Sequence, residues 1–311
     1  MHVSNSRPPF TPLQAKYTSK NERDYFEQMD RQAAHIANAI PLARAAGFTH
    51  LLHIDDDELV HCAAGAEAFM RELATSDPAK PDVHLSNVEA LLPLPDCANP
   101  FTQARAFRHH PTKFCSYTNG KSVGLLAAPA LRSHGPHHFR CATGAGGPDA
   151  GVTHCVAAGV AVILHFESAT FAKWRTKYVD LARRHGNSPD IFSRVPFRFY
   201  RESLTAALGL LHGEAELARG ALGSRELLAA AEDTAFQIWC SWKLEPSGLP
   251  ASPRPGMAPI LLQSGVTLLS PFAKEAAAAP AEAPAAVHQQ RQAAAQQGYG
   301  FYPPFSAALF P

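Results

Sequence analysis

The sequence predicts an α/β domain in which a central, mostly parallel sheet is flanked by helices. Three observations predict it. Helix-type and strand-type patterns alternate through the first third of the chain, as in a sheet whose faces helices cover. The most apolar run, Val156 to Phe166, is too short to span a bilayer and reads as a buried strand. The 311 residues, 46% of them hydrophobic, are enough to bury a sizeable core.

Residues 19–46 read as helix, because Met29, Ile36, Ile40 and Ala43 recur near helical spacing. Asn21 is a candidate cap, Gly47 a candidate stop, and Pro41 argues for a kink or a break after Ala39. Thr49 to Ile54 is a short strand that ends directly in Asp55-Asp56-Asp57-Glu58. Residues 64–75 look helical, and Asp82 to Leu91 is of β type. Residues 92–120, with Pro93, Pro95, Pro100 and Pro111, read as loop. Lys121 to Ala127 reads as strand, and the His- and Gly-rich stretch 133–151 as loop. Ala169 to Arg184 is amphipathic: Phe171, Trp174, Tyr178 and Leu181 share one face, which reads as core rather than a sugar-stacking platform. Two more helices fall near 200–219 and 224–242.

From about Pro246 the composition shifts to Pro, Ala, Gln and Ser. Such a segment buries too little apolar area to offset its ordering entropy, so it reads as disordered. The organisation is therefore an irregular segment 1–18, an α/β domain 19–243 and a low-complexity tail 244–311, with Pro259 to Leu269 as a locally ordered exception.

Charged residues make up only 18% and the net charge is +1, so no global field steers the chain to nucleic acid or an anionic membrane. The cysteines (Cys62, Cys97, Cys115, Cys141, Cys155 and Cys240) form no C-x-x-C pair, which argues against zinc ribbons and thioredoxin-type motifs. One or two bridges or free buried thiols both fit. Residues 1–18 lack an apolar signal region, and no transmembrane segment is legible, so the chain reads as soluble. No H-E-x-x-H occurs, which speaks against an unrelated metal-dependent hydrolase.

Four carboxylates in a row repel one another. At the carboxyl end of a strand in an open α/β sheet they lie where ligands bind, and a divalent cation with hard oxygen ligands would remove the repulsion. Alternation along an extended chain would send Asp55 and Asp57 to one side and Asp56 and Glu58 to the other. A solvated acidic turn at a helix N-terminus explains the same run without a ligand.

The segments Gln28-Met29-x-Arg31-Gln32, Asn38-Ala39, Ala43-Arg44-x-x-Gly47 and Leu51 to Leu59 resemble the family 2-like and family 92-like glycosyltransferases of GT-A type, in which a helix leads into an aspartate-rich strand end. Gly120-Lys121-Ser122 resembles their G-K-S element, and Gly135-Pro136-His137-His138-Phe139 their G-x-H-x-F element. Leu164-His165-Phe166, followed by a helix with Trp174 and Lys177, resembles their L-H-Y strand end. The four elements keep their order over about residues 22–180.

The resemblance implies a GT-A fold and the transfer of a hexose from a nucleotide-diphosphate sugar to a glycan or protein acceptor. It implies Mn2+ or Mg2+ on Asp55 and Asp57, with His165 or His138 as a further ligand within about 5 Å. Asp56, Glu58 and Lys121 are the candidate cofactor contacts, with Glu58 ordering the strand end and Lys121 neutralising a phosphate or touching the acceptor. His165 can equally be a strand-end histidine, His137 and His138 a polar loop, and Lys121 a solvated lysine. An inverting transfer needs a carboxylate base, for which Glu89 and Asp149 are the candidates. Only 54 residues precede Asp55, so the base-gripping strand–helix–strand unit of a GT-A domain is expected to be missing. That leaves an inactive relative acting as a binding or scaffold protein as the alternative. Relatives of this type work in the secretory pathway, which makes the Golgi the expected compartment.

Overall fold

The computed structural model describes residues 25–77, 79–110, 113–116, 118–141, 153–185, 197–251, 260–262, 264, 266–269 and 309–310. The first helix, α1 (Tyr25–Ala45), runs through Pro41 without the expected break. Pro41 and Ala37, whose carbonyl the missing N–H would have met, both lie on the exposed face, where water can take that carbonyl. The opposite face, with Ile36, Ile40 and Ala43, is buried. The helix ends at Gly47, where φ is +79°. Gly47 N bonds Arg44 O and Phe48 N bonds Ala43 O, a Schellman closure in which Gly carries no Cβ penalty.

After α1 come β1 (His50–Leu52), β2 (Glu58–His61), α2 (Ala66–Ala74), β3 (Asp82–Leu85) and β4 (Asn87–Leu91). A one-turn helix α3 (Pro100–Gln103) leads to β5 (Ala106–Arg108) and β6 (Lys121–Leu125). A hairpin of β7 (Leu131–His134) and β8 (His138–Cys141) precedes β9 (Thr153–Cys155) and β10 (Val162–His165). Among the described residues three helices follow: α4 (Phe171–His185), α5 (Arg198–Ala218) and α6 (Ser224–Lys243). Short strands β11 (Ile260–Leu261), β12 (Val266–Leu268) and β13 (Leu309–Phe310) complete the described chain.

The described strands form two sheets and the β7–β8 hairpin. One sheet has the order β13-β1-β6-β3-β9 and the other β11-β12-β5-β4-β10-β2. The expectation of a mostly parallel sheet is corrected: among the pairings between the described strands only β3–β9 and β4–β10 are parallel. Loops rather than crossover helices carry several connections, as from β4 to β5, and such connections return the chain antiparallel. The α/β class itself holds. The strand 82–91 belongs to both sheets, interrupted only at Ser86, whose carbonyl still accepts Ile163 N at 2.9 Å.

Strand β1 is interior to the first sheet and β10 to the second. The expected long strand Val156 to Phe166 is a turn at 157–160 followed by the shorter β10. The loops expected over 92–120 and 133–151 hold α3, β5 and the hairpin; residues 142–152 lie outside the described residues. Alternation along β4 and β10 divides the core. Val88, Leu164 and Val162 face the three-helix layer, where Trp174, Tyr178, Phe199, Leu210 and Trp239 are fully buried. Ile163 faces Val83, Leu85 and α2's Phe69 and Leu73. Each buried aromatic ring contributes at most about 4–6 kcal/mol of transfer free energy. That is why Trp174 and Tyr178, at helical spacing, fix α4 on the sheet.

Within the segment expected as a tail, β12 pairs with β5, and Val266 and Leu268 pack on Leu91 and Ala106. Most of the rest, like residues 1–18, lies outside the described residues. All six cysteines are free. Among the described residues no helix is long and apolar enough to cross a membrane.

Candidate metal centre

The acidic run lies where the chain leaves the first sheet after β1 and enters the second at β2. It is a turn, closed by Glu58 N on Asp55 O at 3.2 Å, and not an extended strand end. The alternation argument therefore fails, and the carboxylates separate differently. Asp55 turns inward: its Oδ1 accepts Gln32 Nε2 at 2.6 Å and its Oδ2 accepts Lys121 Nζ at 2.9 Å. Lys121 is fully buried and lies 3.5 Å from Glu58 Oε2, so it is an internal counter-ion rather than a group offered to a phosphate. Glu58 Oε2 accepts Asp55 N at 2.7 Å, which orders the turn, while its buried Oε1 has no hydrogen-bond partner. Burial pushes the Glu58 carboxyl up to about 7.

Asp57 takes the other direction. Its carbonyl accepts Phe166 N at 2.7 Å, and its Oδ2 lies 3.6 Å from His165 Nε2. Glu167 Oε2 lies 3.9 Å from the same nitrogen. Asp57, His165 and Glu167 each offer one ligand atom, all within 4.8 Å of one another. Burial alone would raise the Asp57 carboxyl and lower the His165 imidazole. Their mutual attraction wins, holding Asp57 well down and, with Glu89, raising His165 to about 10. The imidazolium here balances carboxylates that a cation would otherwise balance. Two carboxylates with one imidazole suit Mn2+ and related ions, whereas Mg2+ favours all-oxygen sets.

His138 is not part of this group. On β8 its Nδ1 lies 3.0 Å from Asp82 Oδ2 and its ring stacks on His84 at 5.1 Å. Of the expected set, Asp55 and Asp57 with His165 or His138, the structure groups Asp57 with His165 and adds Glu167. Glu89 is fully buried, where no acceptor hydroxyl can reach it. Burial alone would raise its carboxyl, yet His165, Lys243 and the Cys115 N–H hold it down at about 2. It suits holding His165 better than taking a proton from solvent. Asp149 lies outside the described residues.

Register explains how Glu89 meets His165. Across the second sheet, Arg108, Glu89, His165 and Glu58 are successive cross-strand partners on β5, β4, β10 and β2. Charges alternate along this row, which is favourable between neighbouring strands. Beyond it opens a cleft lined by Asp56, Asp57, Glu167, Lys173, Thr176 and Lys177, among others. Asp56 is the most exposed of the four carboxylates, and the burial it retains, together with adjacent Asp57, raises its carboxyl. Lys177 Nζ bonds both oxygens of Glu167, at 2.9 and 2.8 Å.

Sequence reasoning missed Glu167, Lys173 and the partner of Lys177. The signal was present: Glu167 follows a strand, as the acidic run does, and Lys173 and Lys177 are one turn apart on α4. Ser168, next to Glu167, has φ of +49°, a conformation non-glycine residues seldom adopt. Its carbonyl is held by Trp239 Nε1 at 2.9 Å, so the helical layer fixes the strained segment that follows β10.

No family model and no solved structure matches the chain. A glycosyltransferase-like protein of Arabidopsis thaliana is 31% identical over 135 residues, covering 37% of this chain and 30% of the relative. A second, also glycosyltransferase-like and from Arabidopsis thaliana, is 27% identical over 135 residues, 37% of this chain and 26% of the relative. The chain thus spans less than a third of the length of these curated relatives. Within that stretch, the two similarities support a glycosyltransferase family for this protein.

Proposed function

We propose that the chain is the metal-binding part of a glycosyltransferase of GT-A type. It would move a hexose from a nucleotide-diphosphate sugar to a glycan or protein hydroxyl. The observation that carries this reading is that Asp57, His165 and Glu167 each offer a ligand atom within 4.8 Å of the others, behind a cleft that Asp57, Glu167, Lys173 and Lys177 line. Asp57 and Glu167 would hold Mn2+ or Mg2+ through carboxylate oxygen, and His165 through Nε2. Such a cation supplies Lewis acidity to a departing diphosphate. Lys173 offers a solvated ammonium to phosphate oxygens, and Lys177 keeps Glu167 oriented along the cleft.

A second reading, an inactive relative that binds or scaffolds, has its own observation. The carboxylates already have protein cations: Lys121 on Asp55, Lys177 on Glu167 and His165 beside Asp57. Calorimetry decides between the two. On the first reading Mn2+ binds, uridine or guanosine diphosphate binds only with it, and Asp57→Asn abolishes both with an unchanged circular dichroism spectrum. If wild type and Asp57→Asn bind nucleotide equally, Asp57 has no such role. If the wild type takes up no Mn2+, the second reading stands.

A further inference from the structure

We infer that Glu89 is a positioning residue for the candidate metal centre: acting through Ser116, it fixes His165 so that Nε2 is the ring nitrogen presented between Asp57 and Glu167. The inference rests on the reading of those three side chains as a cation site, and it assigns the buried machinery behind them.

The argument is one of donors and acceptors. The Glu89 oxygens accept backbone N–H groups, Oε2 from Cys115 and Oε1 from Ser116 at 3.0 Å. A carboxylate only accepts. The Ser116 hydroxyl, 3.2 Å from Glu89 Oε1, must therefore spend its hydrogen on that oxygen. Its lone pairs are what remains for His165 Nδ1, 3.3 Å away. So Nδ1 carries a hydrogen and donates it to Ser116 Oγ, and in the neutral ring the lone pair lies on Nε2. Nε2 is the nitrogen that faces Asp57 Oδ2 at 3.6 Å and Glu167 Oε2 at 3.9 Å. Glu89 Oε1 itself lies 3.7 Å from Nδ1, adding an electrostatic hold where the direct distance is too long for a hydrogen bond.

Two further features follow from this arrangement. The β4–β10 register sets Glu89 beside His165, so the contact is built into the sheet rather than into a loop. Lys243, at the end of α6, is fully buried and its Nζ has no hydrogen-bond partner. An isolated buried ammonium is costly, but its charge acts on Glu89. It adds a positive charge to those acting on Glu89. A carboxylate that orients a metal-ligating histidine from behind typically changes metal affinity by 10–100-fold when it is altered.

Mn2+ binding to wild type, Glu89→Gln, Ser116→Ala and Asp57→Asn tests this, by calorimetry and by the 14N modulation that a coordinated imidazole gives in the electron-spin-echo spectrum of Mn2+. In Glu89→Gln one of the two oxygens that accept backbone N–H groups becomes an NH2 that cannot accept, so the amide must turn away from Cys115 or Ser116 and the Ser116 hydroxyl is no longer fixed as the acceptor for Nδ1–H. We expect Mn2+ affinity to fall about 10–100-fold and the 14N modulation to be lost. Ser116→Ala removes one small hydroxyl and leaves Glu89 its backbone donors, so it keeps the test alive if Glu89→Gln does not fold; about a tenfold loss is expected. A merely structural role would lower the unfolding midpoint but leave the 14N signal in place. If both variants bind Mn2+ with wild-type affinity and modulation while Asp57→Asn does not, the positioning role is overturned and the cation site stands. If the wild type binds no Mn2+, both fall together.

Discussion

Replacing Trp239 by Phe tests whether the helical layer holds the segment after β10 in its strained conformation. Trp239 is fully buried, and its Nε1–H donates to Ser168 O at 2.9 Å. Phe keeps a six-membered ring but deletes this donor. The carbonyl of buried Ser168 then loses its partner, costing about 1–3 kcal/mol. The smaller ring leaves space beside Phe171 and Phe236, whose rings lie 6.1 and 6.0 Å from that of Trp239. Whole-side-chain truncation of Trp costs about 3–5 kcal/mol, so removing part of the ring costs about 1. The sum is about 2–4 kcal/mol, read from urea unfolding followed by far-ultraviolet circular dichroism. Trp242→Phe is the control, since it deletes the same atoms from a partly exposed indole bonded to Glu202 at 2.7 Å. Ser168 follows Glu167, so Trp239→Phe should also weaken Mn2+ binding where Trp242→Phe does not. A loss below about 1 kcal/mol, or equal losses in the two variants, refutes the argument.

Other perturbations have equally definite outcomes. Gly120→Ala forces a left-handed φ of +57° on a residue whose Cβ would lie 2.0 Å from the Leu85 carbonyl, and should cost at least about 3 kcal/mol in a thermal or urea melt. Gly135→Ala, with φ of +65° and open space, should cost only about 1. The metal-free protein should lose stability from pH 7 to 9. His165 is raised to about 10 from 6.5, so its contribution is complete below 6.5 and fades as pH climbs towards the folded value. The slope is at most about 1.4 kcal/mol per pH unit, and His165→Gln should flatten it; an unchanged slope in that variant would assign it to another group. Lys173→Ala should weaken Mn2+-dependent nucleotide diphosphate binding roughly 2–5-fold in calorimetry while leaving Mn2+ affinity alone, because the side chain is solvated and bonds no metal ligand.

The elements carried by strong periodicity or sharp local chemistry were legible in the residues. Trp174 and Tyr178 on one helical face, Gly47 as a stop and Asp55 to Glu58 at a strand end all report local physics that needs no partner. His165, at the close of an apolar run, is one of the two histidines that the family resemblance offers as a ligand, His138 being the other. What failed was reasoning that depended on the path of the chain between elements. Short pieces such as β5 and the β7–β8 hairpin carry too few residues to show a period, and their Arg and His content resembles loop. Strand direction depends on how connections turn, so antiparallel pairing was invisible to a count of alternating helices and strands.

The candidate site shows the same division. Sequence by itself determined that carboxylates crowd the end of β1 and that a histidine ends a buried strand. It could not decide which carboxylates meet that histidine, because the acidic run bends instead of extending. A turn sends Asp55 to Lys121 and Asp57 to His165, where an extended chain would have kept the pair on one side. Glu89 and Glu167 reach His165 by different routes, one across the β4–β10 register and the other two residues along the chain. Only tertiary structure sets a register between strands more than seventy residues apart, since a shift of one position would turn every side chain to the opposite face.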